Sequence, residues 1–195
     1  MSNPAIFQNL EHDEIEFSDL NLAQAELGNH SFENCIFSRC NLNGSKLDRT
    51  RFISCKFLDC DISNASFKNS RLRDTSFKSC KIIGIQWVQF DDVVNPAFQE
   101  CNLNYCNFVG LKLKKTQFFK SSLREVDFSQ ADLSESDFRE CDLSKARFNV
   151  TSLLKGDFRG AFNYIIDPIG NKIRGARFSL PEAQGLLMGL GIVLE

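Results

Sequence analysis

From Phe17 to Trp87 every fifth residue is Phe, Leu, Ile or Trp, fifteen positions without a miss. After a slip of one residue the beat resumes at Phe98 and alternates Phe with Leu through Phe158, thirteen positions more. A helix repeats its buried face every 3.6 residues and a strand every two, so a period of five belongs to neither. A short fixed period over most of a chain predicts a solenoid, in which each unit buries its apolar residue only by stacking on its neighbours. Two positions before each large residue stands a second restricted slot, filled mostly by small groups such as Cys35, Ser45, Thr50, Ala65 and Ala131. The other three positions of each unit carry nearly all the charge. Two residues in five are therefore expected to point inward, one large and one small, and three to face water.

Units such as Ala131-Asp132-Leu133-Ser134-Glu135 and Cys141-Asp142-Leu143-Ser144-Lys145 resemble the pentapeptide-repeat family, whose motif is written A-(D/N)-L-x-x. The resemblance covers residues 15 to 160. It implies an all-β fold, a right-handed quadrilateral β-helix with one pentapeptide per side and four per coil. Side chains four units apart should then stack. Phe17, Phe37, Phe57 and Phe77 form one such ladder, Leu22, Leu42, Ile62 and Ile82 another. After the slip, Phe98, Phe118, Phe138 and Phe158 align, with Phe178 one step on. Seven to eight coils at ~4.8 Å each give a rod roughly 35–40 Å long.

The β-helix is expected over residues 1–180, interrupted at 88–97, with residues 181–195 as a C-terminal helix and apolar tail. The interruption carries one residue beyond two whole units and contains Asp91, Asp92 and Pro96. The extra residue can bulge outward or form a hinge between two stacked blocks; with these residues it reads as a small surface protrusion, a tolerated insertion rather than a binding loop. The beat frays after Phe158, where Asn163 and Pro168 fall on core phase. Ser179-Leu180-Pro181-Glu182 then reads as a helix start, with Ser179 as N-cap and Pro181 in the first turn. Ala183, Leu186, Leu187 and Leu190 are spaced for an apolar helical face, followed by Ile192, Val193 and Leu194. An open solenoid end needs a cap. Leu180, Leu186, Leu187, Leu190, Ile192 and Val193 are candidates for that cap, for a homodimer contact, or for both. Residues 186–194 resemble the C-terminal end of Qnr-type quinolone-resistance proteins, which implies end-to-end joining of two monomers.

All eight cysteines occupy the small inward slot, where a free thiol packs as a small apolar group. There is no C-x-x-C pair, and ligands of one repeat phase without histidine partners do not converge on zinc. Stacked residues such as Cys40, Cys60 and Cys80 would lie near the Cα separation of a disulfide, which a reducing compartment disfavours. Residues 1–16 contain no Lys or Arg and no long apolar run. A cytoplasmic protein without signal peptide or membrane span is the expectation.

No catalytic constellation is legible. His12 lies ahead of the regular repeat, and His30 falls in an inward slot, where it reads as a packed core residue rather than a base. Neither has a Ser or Cys nucleophile beside it in the repeat phase. There is no glycine-rich phosphate loop. The expectation is a non-enzyme with no cofactor, no metal and no direct nucleic-acid contact.

Net charge is −2, and the charges come in bands. Residues 1–33 carry seven acids and no Lys or Arg, and residues 34–90 four acids and ten bases. Residues 112–124 carry five bases and no acid, and residues 125–142 seven acids and one base. Resemblance to Qnr-type proteins and the related microcin-immunity proteins implies a rod that looks like B-form DNA. Such a rod binds DNA gyrase or topoisomerase IV and protects it from quinolones or peptide toxins. A rod carrying carboxylates suits a groove built for phosphates. Glu125, Asp127, Asp132, Glu135, Asp137, Glu140 and Asp142 are the candidate partner-facing acids; the alternative is a solvated belt. The long loops of resistance-conferring Qnr members are absent. A structural or adaptor module with a different protein partner remains the alternative function.

Overall fold

The computed structural model describes residues 7–193. Residues 1–6 and 194–195 lie outside the described residues, so Leu194 and the first part of the N-terminal segment do too. The chain winds into a right-handed, four-sided β-helix of about eight coils with one short C-terminal helix. Each five-residue unit makes one side and one corner, so equivalent side chains of successive coils, such as Arg39 and Asp19, stand 20 residues apart. The corner is the second residue after each large core residue. It adopts the left-handed conformation at nearly every turn, with φ of 54° at Glu14, 55° at Asp19 and 59° at Gln24, for example. Its N–H donates to the carbonyl one coil further on, as from Asp19 to Ser38 (3.0 Å).

Vertical stacking of these units makes parallel sheets. On the first side the strands Glu11–Asp13, Ser31–Glu33, Arg51–Ile53, Arg71–Arg73 and Asp92–Val94 pair in that order. On the second, Glu16–Ser18, Ile36–Ser38, Lys56–Leu58, Ser76–Lys78 and Ala97–Gln99 do the same. The third and fourth sides are held by single bridges at the same spacing, such as Asn41↔Asp61 and Lys46↔Ser66. A last pair, Asp157–Phe158 with Arg177–Phe178, carries the second side to the C-terminal end.

The core is a set of vertical ladders. On the second side Phe17, Phe37, Phe57, Phe77, Phe98, Phe118, Phe138, Phe158 and Phe178 stack face to face. A second aromatic column stands beside it. It lies on the first side in the N-terminal part (Phe32, Phe52) and on the fourth side further on (Phe108, Phe128, Phe148). Rings of adjacent columns meet edge-on, as Phe118 does with Phe128 at 74°. Stacking along the rod and edge-to-face contact across it are both favourable aromatic geometries. The remaining sides are aliphatic, filled by residues such as Leu103, Leu123 and Leu143, all fully buried.

Three expectations are corrected. His12 is no outlier to the repeat. It lies one coil before Phe32 and is the first rung of that ladder, paired in register. The break at 88–97 does not bulge outward. Trp87–Gln89 form a 3-10 turn that absorbs the extra residue. That turn drives Phe90 inward, where it sits between Phe67 (4.9 Å) and Trp87 (5.0 Å) in one continuous stack. An aromatic ring gains more by burial than the loop would by solvation. The C-terminal helix is shorter than predicted, Gln184–Gly189, with Ala183 at its N-cap position and no side-chain cap. The Ser179 hydroxyl instead accepts the Gly160 N–H (3.0 Å), tying the segment to the last coil.

Phe118 is fully buried between Phe98 (5.3 Å) and Phe138 (5.0 Å). Phe118→Ala is expected to cost about 3–5 kcal/mol in urea denaturation. Its outward neighbour Phe119, held by cation–π contacts with Lys120 and Arg139, should cost about 1 kcal/mol or less when replaced by Ala. Equal losses at the two positions would contradict the ladder.

Candidate partner-binding surface

With apolar groups, thiols and imidazoles turned inward, what remains for recognition is the outer skin and the two ends. The skin is patterned by charge. The seven candidate acids do not share a face. Asp132 stands on the first side, Asp137 on the second, Asp142 on the third and Asp127 on the fourth, with Glu125, Glu135 and Glu140 at corners. They form a ring around the rod, and each is paired with a cation. Asp127 meets Arg147 at 2.9 Å, Asp132 meets Lys114 at 3.3 Å and Asp137 meets Arg139 at 2.6 Å. The longer pairs are Glu125–Lys145, Glu135–Lys115, Glu140–Lys120 and Asp142–Arg124, at 3.6–3.9 Å.

Burial works to raise the carboxyls of Asp127, Asp132 and Asp142, and local partners overcome it. Ser129 with Arg147, Ser134 with Lys114, and Ser144 with Asn163 and Arg124 hold the three below the usual carboxylate range. Most of the pairs join adjacent coils. The basic band at 112–124 lies on the acidic band at 125–142, which lies in turn on Lys145 and Arg147. Single exposed pairs of this kind are each worth ~1 kcal/mol or less. Asp157, nearly buried, gathers three arginines, Arg159 (2.7 Å), Arg177 (2.8 Å) and Arg139 (3.9 Å). Its bonds to Arg159 hold its carboxyl low.

The two ends differ. At the N-terminal end the ring of Phe7 stands edge-on to His12 and His30, closing the core. The imidazoles are buried, stacked on Phe32, and hydrogen-bonded to each other, Nε2 of His12 to Nδ1 of His30 at 3.0 Å. One ring donates and the other accepts, which requires the accepting ring to be neutral. Desolvation lowers both pKa values, and for His30 the charge of His12 adds to the effect. At the C-terminal end Leu186 packs against the core. Leu180, Leu187, Leu190, Ile192 and Val193 are exposed, Leu180 by 88% and Val193 by 83%.

Chemistry inside the rod is quiet. All eight cysteines are free and buried, and desolvation pushes the thiols of Cys55, Cys106 and Cys141 up to about 12. Thiols in that state are neither nucleophiles nor metal ligands. Among the described residues no group of three or more His, Cys, Asp or Glu could hold a metal ion. A surface groove of 420 Å³ is lined by Arg51, Arg71, Arg73, Asp91 and Asp92, with Ile53 and Phe52 at its floor. Its carboxylates are taken by Arg71 (2.7 Å) and Arg73 (3.4 Å). Asp91 and Asp92 are therefore parts of inter-coil pairs. No helix among the described residues is long and apolar enough to cross a membrane.

A family model described as the pentapeptide repeat region matches residues 30–93 and 91–158, well over half of the chain. The chain belongs to the pentapeptide-repeat family. Among curated proteins no sequence matches it. Its fold is similar to that of QnrB1, a plasmid-mediated fluoroquinolone resistance protein, in a trypsin-treated variant form. That match has a TM-score of 0.64 at 20% identity, over 95% of this chain and 91% of that one. It is also similar to HetL, a pentapeptide-repeat protein involved in heterocyst differentiation regulation from the cyanobacterium Nostoc sp. strain PCC 7120. There the TM-score is 0.70 at 16% identity, over 87% and 86% of the two chains. At such identities these likenesses describe a shared fold, and the four-sided coil of this pentapeptide-repeat protein is what they share.

The five-residue phase does not reveal the pairing of the acids with bases or the His12–His30 contact. Apart from Asp137–Arg139, two residues apart, these lie at separations of one coil or slightly less, visible only once the coil length is applied to charged and polar positions as well as apolar ones.

The histidine pair gives the fold a pH dependence. With folded pKa values below the unfolded value of ~6.5, the unfolded chain binds more protons, so stability is full above that pH and falls as pH drops. The urea midpoint should decline progressively below about pH 6.5. The double variant His12→Phe/His30→Thr, which copies the rung below (Phe32 with Thr50), should flatten the decline between about pH 6.5 and the carboxylate range. An unchanged slope in that variant would remove the pair as its source.

Proposed function

We propose that this pentapeptide-repeat protein is a non-enzymatic, protein-binding rod that engages a bacterial type II topoisomerase, DNA gyrase or topoisomerase IV. In doing so it protects the enzyme from quinolones or peptide toxins. The observation that carries the proposal is the QnrB1-like fold over 95% of the chain, joined to a core that keeps thiols and imidazoles inside. A rod with no internal site acts by the shape and charge of its skin. Its N-terminal end is the acidic part. Residues 1–33 hold seven acids and no Lys or Arg, and of these Asp13, Glu14, Glu16 and Glu33 lie outside the inter-coil ion pairs. Carboxylates at that end, with the belt from Glu125 to Asp142, would meet a basic phosphate-binding groove. The exposed C-terminal residues Leu187, Leu190, Ile192 and Val193 are proposed to join two copies end to end. The site of action is the cytoplasm, where the buried thiols stay reduced.

One observation favours a second reading, an adaptor with a different protein partner. The belt acids are all paired within the rod, and residues 34–195 carry 23 bases against 18 acids. A duplex mimic of continuous negative potential would not need such compensation.

Titration into a gyrase supercoiling assay, with and without a fluoroquinolone, separates the two. The topoisomerase reading expects supercoiling restored in the presence of drug, or inhibited at high dose. Charge reversal at Asp132, Glu135 and Asp137 should then weaken the effect and its salt dependence. No effect on supercoiling at tens of micromolar would leave the adaptor reading.

A further inference from the structure

We propose that the fourth side of the rod is a self-association surface, on which a second copy of this chain docks side by side and antiparallel. From the middle coil to the C-terminal end this side is free of charge along two of its three outward columns. Val88, Val109, Ser129 and Asn149 form one column and the residue following each of them the other, with Ile169 and Gly170 at the same sequence spacing beyond; none of these ten is charged. The equivalent columns of the first side hold Lys114, Lys115, Glu135, Lys155 and Arg174. In a chain whose outward positions are mostly charged or polar, such a stripe is a departure from the rule. Charge depletion at the centre with apolar and amide groups present is the composition of an interface core.

Exposure and backbone strain mark the same stripe independently. Ile169 is 83% exposed, Val150 74% and Val88 42%. Val150 also sits in the left-handed corner at φ 56°. For a β-branched side chain that conformation is an outlier and is disfavoured by the close approach of Cβ to the following carbonyl. No other β-branched residue among those described occupies such a corner, which is filled mostly by Asn, Asp, Lys, Glu or Gly. A strained apolar group held in water contributes nothing to the isolated rod and is explained by a contact that covers it.

The occupant is a second copy because the stripe is complementary to itself. Amides such as Asn149 and Gln130 both donate and accept, so a surface of amides pairs with its own image, whereas a surface of one charge repels it. The third outward column supplies the register. It holds Asp127 and Arg147 on successive coils, 2.9 Å apart within one rod. A two-fold axis crossing between those coils sets Asp127 of one copy against Arg147 of the other, twice over. The same axis brings Ser129 against Asn149 and Gln130 against Val150. This is an isologous, closed contact. The side of five coils measures only about 20 Å by 10 Å, well short of the ~800 Å² per partner of a standard interface. The association is therefore weak. It is also distinct from the end-to-end contact proposed for the C-terminal helix.

Sedimentation equilibrium of the full chain from about 20 to about 500 µM reads the outcome. The mass should rise from 22.2 kDa toward twice that value. In a Leu187→Lys background, which removes the end-to-end contact, Gln130→Lys/Val150→Lys should keep it at the monomer value over the same range. Lysine already occupies this corner at Lys115 and Lys145, so the fold is kept, which circular dichroism checks. Leu187→Lys on the C-terminal helix should leave the lateral association in place. A wild-type chain that stays monomeric throughout would overturn the proposal and leave the stripe to a different protein. Association abolished by Leu187→Lys but untouched by the double variant would overturn it in favour of end-to-end joining alone.

Discussion

Ten phenylalanine rings, from Phe7 to Phe178, stand face to face along one side of the rod at centroid separations of 4.7–5.3 Å. That spacing is the separation of neighbouring parallel strands. The backbone ladder and the ring ladder therefore satisfy each other at the same repeat. Only a coil of four whole units keeps both in step, and the corners follow from this requirement. Each must reverse the chain within one residue, which the left-handed conformation does and which costs energy for most side chains. Burial of one large and one small residue per unit offsets that strain, coil after coil.

The same constraint governs the surface. Side chains that point outward also repeat once per coil, so a like charge at that interval would face its own kind at strand distance. The chain answers with bands of alternating sign. Lys46 lies on Glu26 (2.7 Å), Arg39 on Asp19 (2.6 Å) and Arg147 on Asp127 (2.9 Å). Each pair is small in energy. Together they penalise a slip in register that the apolar beat alone would tolerate, since a shift of one unit leaves Phe on Leu and the core nearly filled. Charge bands that resemble a binding surface in one dimension are in large part the coils' own cement. What is left for partners is the acidic N-terminal end, the apolar C-terminal end and the two uncharged columns of the fourth side from the middle coil onward.

Most of the fold was legible because one signal, the inward residue at every fifth position, is enforced by every coil. Phe17 to Phe158 and the eight buried cysteines follow from phase alone. Legibility failed where a local competition decided the outcome. At Phe90 an aromatic ring off the beat was worth more inside than a regular loop outside, so the 3-10 turn formed. At Ser179 the hydroxyl was captured by the Gly160 N–H, and the helix began at Gln184 instead. The candidate acids were read as a linear run, Glu125 to Asp142, and a linear run wrapped on a square coil cannot lie on one face. Nothing in a one-dimensional charge count shows which carboxylate meets which guanidinium. The coil length does, once it is known.

The most direct test of coil-on-coil stacking is excision of one full coil, residues 119–138, compared with excision of residues 119–136. Unfolding of each is followed by circular dichroism in urea. Removing a full coil sets Phe118 on Phe158 and keeps every ladder, corner and side in phase. A single cooperative transition is expected, at a lower midpoint than the intact chain. The shorter excision throws all later rungs two residues out of phase and should abolish cooperative unfolding of the C-terminal part. If both shortened chains unfold alike, side chains are not stacking coil on coil at this interval, and the four-sided rod is wrong.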